Sequence, residues 1–347
     1  MKTKGIYFLY RVLQALALPL LLLYFLFRGL GNRAYWSSLP QRFGFLPHSF
    51  TQTAPGAIWL HAVSVGEVLS CLELIRRLRA AFPHARIFVS TSTIAGRATA
   101  GEKLRSLADG VFYAPADFVW AVRRVLRALR PSLVLVAETE IWPNLFREVH
   151  RTGAPLAIVN ARISDRALPR YRRFRAVFPA VLAHADSILA QTEPIRARFL
   201  ELGAPPHRVH VAGNFKYDFE ARPAPPDSPV VQWISRIQPA RVFIAASTMP
   251  PAEPGDPDED DAVIAAWLQL RERLPDLALI LVPRKPERFD SAAARLAAAG
   301  IPFARRTALA ASSARVLLLD SIGELGSLFA HADVVFMGGT LARRGGH

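Results

Sequence analysis

Cysteine is almost missing from this sequence: Cys71 stands alone among 347 residues. That excludes an internal disulfide and any multi-cysteine metal site, and a fold without disulfides suits a reducing compartment. Lysine is scarce too, with only Lys2, Lys4, Lys103, Lys216 and Lys285 among 43 Lys and Arg residues. Acidic residues number 28, so the chain carries +15. Such a field attracts nucleic acid, anionic lipid and phosphorylated small molecules alike, and only local motifs separate them. Familiar signatures are absent: no GxGxxG after a first strand, no Walker loop, no HExxH and no GxSxG. Their absence argues against dinucleotide oxidoreductases, P-loop NTPases, zincins and serine hydrolases of the α/β type. No ligand cluster asks for a metal, and no cofactor is expected.

What is present begins with one long apolar run. Residues 12–27, VLQALALPLLLLYFLF, carry no charge and would extend about 24 Å as a helix at ~1.5 Å per residue. Including Ile6 to Leu9 approaches the ~30 Å of a bilayer core and leaves Arg11 to snorkel. Lys2, Lys4 and Arg11 precede the run and Arg28, Arg33 and Arg42 follow it, without a small-residue cleavage site. The reading is a membrane anchor, spanning or interfacial, with the soluble part on the cytoplasmic side.

Beyond it, short β-rich runs alternate with helical patterns. The runs are 57–63, 86–92, 111–115, 133–138, 155–161 and 187–192. After the Pro-rich segment ARPAPPDSP (221–229) the alternation resumes at 242–248, 277–284, 316–321 and 333–339. Between the first two runs, Val65, Val68, Leu69, Leu72, Ile75, Leu78 and Phe82 recur at helical spacing. This pattern predicts an α/β protein with two Rossmann-like, doubly wound parallel sheets facing a cleft. The divisions are an anchor helix over 1–30, one domain over 31–220, a linker over 221–230 and a second domain over 231–347. The chain stops at LARRGGH inside a glycine-rich turn where a helix is due, so a fragment with an incomplete second domain is expected.

Several motifs fall where strands end. HAVSVGE (61–67) reads as a capping box with Ser64 as N-cap, or as a general base at Glu67 favoured in its ionised form by the helix N-terminus. In ETEIWPN (138–144), Glu138 and Glu140 either complement the dipole of the helix opened by Pro143 or serve chemistry. NARISDRALPRYRRFR (160–175) interleaves Arg162, Arg166, Arg170, Arg172, Arg173 and Arg175 with Tyr171 and Phe174, a solvated basic face or a seat for an anionic headgroup or a nucleic-acid backbone, and the nearby anchor favours lipid. GNFKYD and VPRKPERF each hold a cation at a strand end, Lys216 and Arg284, the second suited to bidentate phosphate binding. GELG (323–326) and GGTLARRGGH (338–347) add backbone amides that could cradle phosphate. The acidic run GDPDEDD (255–261) lacks an EF-hand's glycine and final glutamate and reads as a solvated loop.

Taken in this order, HAVSVGE, ETEIWPN, NARISDR, GNFKYD, VPRKPERF, GELG and the terminal RGGH resemble the Kdo transferases, bacterial enzymes that attach 3-deoxy-manno-octulosonic acid to the lipid A precursor. The resemblance implies a GT-B glycosyltransferase at the cytoplasmic face of the inner membrane that uses CMP-Kdo and inverts the anomeric centre. It implies Glu67 as catalytic base, Glu138 and Lys216 as transition-state stabilisers, and Pro283, Arg284, Gly323, Glu324 and Leu325 as the CMP-binding region. Ser64, Glu140, Arg162 and Arg170 are acceptor-side candidates. The implied partners are CMP-Kdo, the lipid A precursor and anionic inner-membrane lipids, with no nucleic acid. Family members continue past GGH with an Asn-Pro-Leu-Glu segment that this sequence does not contain. The alternatives are a membrane-associated GT-B enzyme using a UDP-sugar and an inactive relative that binds anionic lipid, with Glu67 only a helix cap.

Overall fold

A computed structural model describes residues 3–52, 54–218, 223–309 and 312–342. The chain divides into two compact units, Met1–Phe219 and Glu220–His347.

In the first unit seven strands form one sheet: β1 (Ala57–His61), β2 (Ile87–Thr91), β3 (Gly110–Tyr113), β4 (Pro131–Ala137), β5 (Leu156–Ala161), β6 (Ser187–Ala190) and β7 (Val209–Val211). Their order is β3-β2-β1-β4-β5-β6-β7, with every pair parallel. A parallel sheet covered by helices is buried on both faces, which is why its strands read as apolar runs rather than alternations. Side chains of β1 still divide by parity. Trp59 packs with Phe88, Phe112 and Phe146 on one face, and Ile58 and Leu60 pack with Ile75, Val89 and Leu104 on the other.

The second unit repeats the plan with β8 (Arg241–Thr248), β9 (Leu277–Pro283), β10 (Phe303–Arg305), β11 (Val316–Leu318) and β12 (Val334–Met337). Their order is β10-β11-β9-β8-β12, again parallel throughout. Its two faces gather around Trp233 and Trp267. The α/β class with two Rossmann-like sheets is therefore as the sequence pattern predicts, and all ten expected strands form. β7 and β10, three residues each, are too short to show in the pattern. One expectation changes: the helix from Val65 to Phe82 is two helices, Val65–Ser70 and Leu72–Ala81, which meet at Cys71. Val68 and Ile75 reach the core, whereas Leu69 and Phe82 remain on the surface.

The amino-terminal helix, Thr3–Gly31, docks on the first unit by one face. Among the described residues it is the one helix long and apolar enough to cross a membrane. Tyr10 and Gln14, one turn apart and so on one side, donate to the Asp117 carboxylate at 2.9 Å and to the Asp117 carbonyl at 2.9 Å. Asn144 Nδ2 completes the contact by donating to Gln14 Oε1 at 2.8 Å. Asp117 also accepts from the main-chain N–H groups of Asn144 and Leu145, at 3.0 and 2.7 Å. Burial nonetheless pushes its carboxyl up to about 7. Away from this seam, Phe8, Leu16, Leu20, Leu23, Phe27 and Leu30 are left exposed.

Candidate active site

Each sheet has a switch point, where successive crossovers leave in opposite directions: between β1 and β4 in the first unit and between β8 and β12 in the second. Loops beyond the carboxyl ends of strands at such points are the usual ligand sites of open α/β sheets. The motifs singled out from the sequence lie at carboxyl ends of strands, and two of them, HAVSVGE and ETEIWPN, flank the first switch point. HAVSVGE follows β1, ETEIWPN follows β4, NARISDR follows β5 and GNFKYD follows β7; in the second unit VPRKPERF ends β9 and GELG follows β11.

Glu67 lies in the first turn of the helix Val65–Ser70. Ser64 is the N-cap, its Oγ accepting from Glu67 N at 3.5 Å. The Glu67 carboxylate folds back: Val63 N donates to Oε2 at 2.7 Å and Ser64 Oγ donates to Oε1 at 2.9 Å. This is a capping-box variant in which the N-cap hydroxyl and the preceding N–H are the donors. Each carboxylate oxygen keeps lone pairs free beyond its one bond. Burial pushes Glu67 up to about 7, outweighing the two donors, and the charges of Glu140 and Glu138 push the same way. The capping geometry and the raised carboxyl thus belong to one arrangement.

Glu138 begins the loop after β4 with φ of 57°, and its N–H bonds to the Val159 carbonyl at 2.9 Å. A left-handed glutamate is strained and is held by its surroundings. Among the described residues, five that are not glycine have positive φ. Arg130 and Gln238 are ordinary left-handed helix caps,. The others, Glu138, Asn160 and Ser247, stand at the ends of β4, β5 and β8. Glu140 Oε2 accepts from Trp142 Nε1 at 2.6 Å, and burial raises its carboxyl. Thr139 ties this loop to the next one by donating to the Arg162 carbonyl at 2.5 Å, and Tyr171 Oη reaches the Thr139 carbonyl at 3.5 Å. Arg162 and Arg170 therefore border the loop of the two glutamates, with their side chains exposed. Arg172, grouped with them in the sequence, is taken by Glu201 in a two-pronged ion pair at 2.6 and 2.9 Å.

Asn160 is a residue the sequence reading did not single out. It is buried, with 1% exposure, and its Oδ1 accepts from Phe215 N at 3.2 Å. That bond fixes the short 3-10 turn Phe215–Tyr217, which carries Lys216. The Lys216 side chain lies outside the described residues.

In the second unit, Pro283 is buried at the end of β9 and Arg284 follows it with an exposed side chain, its N–H bonded to the Thr248 carbonyl at 3.1 Å. Gly323 takes φ of 92°, as the turn after β11 requires,. Glu324 is occupied by Arg306 at 2.9 Å and Ser321 at 2.6 Å, and Leu325 packs on the core. These side chains shape the turn, leaving its backbone as the part able to meet an anion. The terminal RGGH, residues 344–347, lies outside the described residues. The acidic run departs from expectation: Glu259 and Asp260 are fully buried at the start of the helix Glu259–Arg273 rather than solvated. Among the described residues no group of three or more His, Cys, Asp or Glu could hold a metal ion.

Comparison with known proteins gives a consistent result. The profile of a family described as 3-Deoxy-D-manno-octulosonic-acid transferase (kdotransferase) matches residues 37–219. A 3-deoxy-D-manno-octulosonic acid transferase of Haemophilus influenzae is 32% identical over 348 residues, covering 98% of this chain and 78% of its own length. The protein of the same description from Bordetella pertussis is 33% identical over 358 residues, covering 99% and 79%. Among solved structures, a UDP-N-acetylglucosamine 2-epimerase superposes with a TM-score of 0.53 at 12% identity, covering 82% of this chain and 73% of the other. A putative enzyme of that kind from Listeria monocytogenes gives 0.51 at 13%, covering 82% and 74%. At such identities the likeness speaks for the two-unit fold alone.

Proposed function

The chain belongs to the 3-deoxy-D-manno-octulosonic acid (Kdo) transferase family, and from that premise we propose that it moves Kdo from CMP-Kdo to a hydroxyl of a lipid A precursor with inversion, using Glu67 as base. The observation that carries the base assignment is the half-buried Glu67 carboxylate at the switch point of the first sheet, gripped by two donors with lone pairs to spare. In the reaction Glu67 takes the proton of the acceptor hydroxyl as its oxygen bonds to the anomeric carbon. The bond from that carbon to the CMP phosphate breaks, and the leaving phosphate takes the electron pair. A carboxylate base near neutrality contributes ~10²–10⁴-fold. In the second unit Arg284 is assigned to the charge that develops on the departing phosphate, where stabilisation counts most, and in the first unit Lys216 is assigned to stabilising the transition state. Glu138, held in its left-handed pose, is assigned to stabilising the transition state, and Glu140, tethered to Trp142, lines the acceptor side with Ser64, Arg162 and Arg170. Pro283 and the turn at Gly323, Glu324 and Leu325 receive the nucleotide.

A lipid acceptor is supported by the surroundings of Trp142. A cavity of about 370 Å³ is bounded by Ala17 and Leu21 of the amino-terminal helix, by Phe118, and by Ile141, Trp142 and Pro143 of the loop that follows Glu140. Lipid-facing helix and catalytic loop thus share one apolar wall. We locate the enzyme at the cytoplasmic face of the inner membrane, the helix lying in the interface: its polar stripe of Tyr10 and Gln14 is committed to Asp117 and Asn144, and its exposed apolar stripe is free to enter lipid. A second cavity, about 760 Å³ and lined by Arg123, Arg127, Arg130 and Arg151 around Glu148, suits anionic headgroups beside that helix,.

The test is mass spectrometry of the lipid product after the full chain meets lipid A precursor with CMP-Kdo or with UDP-sugars. Addition of Kdo from CMP-Kdo, absent in a folded Glu67→Gln variant, is expected. Addition of a sugar from a UDP donor instead, or no addition at all, would overturn the reading.

A further inference from the structure

The acidic run at 255–261 has no part in the reaction described above, yet it holds two carboxylates with no solvent exposure. Glu259 is the more unusual. Its Oε2 accepts from Met249 N and Gly339 N, both at 2.8 Å, and its Oε1 accepts from Leu341 N at 2.9 Å and Ala342 N at 3.2 Å. Four main-chain donors converge on one carboxylate, the strong, charge-assisted kind of bond. They come from two loops, one after β8 and one after β12, which are the strands of the second sheet's switch point.

The backbone there leaves little slack. A Cβ at Gly338 would sit 2.0 Å from the Ser247 carbonyl oxygen and 2.8 Å from Glu259 Oε2, and Ser247 itself has φ of 56°. Neighbouring residues extend the grip to a third loop. Thr248 Oγ1 donates to Asp260 at 2.5 Å. Arg288, from VPRKPERF, pairs with Asp260 and with Asp258, the latter at 2.7 Å. Thr248 also receives the Arg284 N–H. The loops after β8, β9 and β12 are thereby tied to one buried acidic turn.

We infer that Glu259 is a positioning residue for the donor, holding the 338–342 turn and the Ser247–Met249 loop in the shape that receives the nucleotide phosphate of CMP-Kdo. The inference rests on the Kdo-transfer reading above. The N–H groups of Gly338, Gly339, Leu341 and Ala342 are spent on the Ala246 carbonyl and on Glu259, so the turn is fixed in orientation and leaves the Thr340 N–H as the peptide donor of residues 338–342 able to meet an anion, a preorganised contact. The same two strands provide a comparison at their other end. There Asp333 accepts from Val242 N at 2.8 Å and from Arg241 at 2.9 Å, a fastening of similar kind remote from the carboxyl-end loops.

Steady-state transfer by the full chain, with CMP-Kdo and acceptor varied separately, tests the inference. Glu259→Gln, whose amide nitrogen would confront N–H donors, raises the donor KM about tenfold and leaves the acceptor KM within about twofold; Glu259→Asp restores part of the loss. Gly338→Ala, which displaces the turn with the carboxylate intact, gives the same split and decides alone if Glu259→Gln does not fold. Asp333→Asn lowers the melting temperature and leaves the donor KM unchanged. A donor KM in Glu259→Gln and Gly338→Ala no different from that in Asp333→Asn at equal loss of melting temperature overturns the assignment. A wild-type chain that transfers no Kdo from CMP-Kdo overturns the functional reading and this inference together, whereas transfer with unmoved donor KM overturns the inference alone.

Discussion

Glu67 in the first unit and Glu259 in the second occupy the same station, the opening turn of the helix that follows the first strand of a Rossmann-like sheet, and their environments drive them in opposite directions. Glu67 has two donors, partial exposure and two carboxylate neighbours, and burial prevails, bringing it to about 7. Glu259 is fully enclosed, and burial also works to raise it, but four peptide N–H groups outweigh that and hold its carboxyl below the usual range. Counting donors decides the contest. A carboxylate with two can give and take a proton at neutral pH, while one with four is a fixed charge that organises backbone. On the proposed reading, two halves built on one plan use one residue type for chemistry and for architecture.

The sharpest way to break this comparison is Glu67→Gln, which is expected to lower kcat by ~10²–10⁴-fold with the melting temperature little changed. A variant that instead melts early and keeps its turnover makes Glu67 a cap like any other. Next in size is Arg284→Ala, expected to raise the donor KM roughly ten- to hundredfold, the worth of a charged hydrogen bond or two. Titration calorimetry with CMP measures the same loss without turnover. A smaller effect comes from Ser64→Ala. The Ser64 hydroxyl favours ionised Glu67, so removing it pushes the carboxyl higher. The rate, expected to rise with pH as Glu67 ionises around 7 in the wild type, is then expected to rise at higher pH, with about 0.5–2 kcal/mol of capping stability lost. A pH–rate profile unmoved by Ser64→Ala would detach the base from its cap.

The smallest effect is in stability itself, and here the two glutamates differ in sign. Folded Glu67 holds its proton more tightly than the unfolded chain, so its contribution is most favourable in acid and is lost as pH rises from the ordinary glutamate value through about 7. Folded Glu259 holds its proton less tightly, so its contribution is present at neutral pH and is lost as pH falls through its lowered value. Urea melts carried from pH 8 down to about pH 3, below the ordinary glutamate range, should therefore show opposite tilts: Glu67→Gln alters the slope between the ordinary glutamate value and about 7, and Glu259→Gln alters it with opposite sign below the ordinary value,. Parallel tilts would mean that the two environments are not the opposites described.

What could be read from the sequence follows the range of the interactions. The strands are legible because most are buried on both faces and apolar throughout, and β12, with Val334 and Val335 exposed, is legible by its apolar run alone; Glu67 is legible because Ser64-x-x-Glu is a contact three residues long. The carboxyl-end positions of the motifs follow from the alternation itself. Glu259 is illegible because its partners are supplied by residues up to 83 positions away; within GDPDEDD nothing distinguishes it from Asp256, which stays near the surface. Asn160 is hidden similarly, since Phe215, which it anchors, lies 55 positions on. Arg172 was readable as a basic residue but not as one already spent on Glu201. Composition reports charge, and only the fold reports which charges are still available.

The seam between the amino-terminal helix and the first unit has a consequence for reach. Asn144, which grips Gln14 of that helix, is only four residues beyond Glu140 and is the second residue of the helix Pro143–Thr152. The element that would rest in lipid and the loop beside the base are therefore one rigid piece, without an intervening hinge. Under the interfacial placement proposed above, the depth of the helix would set the height of Glu140 and Trp142 above the acyl chains, and with it which hydroxyls of a membrane lipid the site could meet.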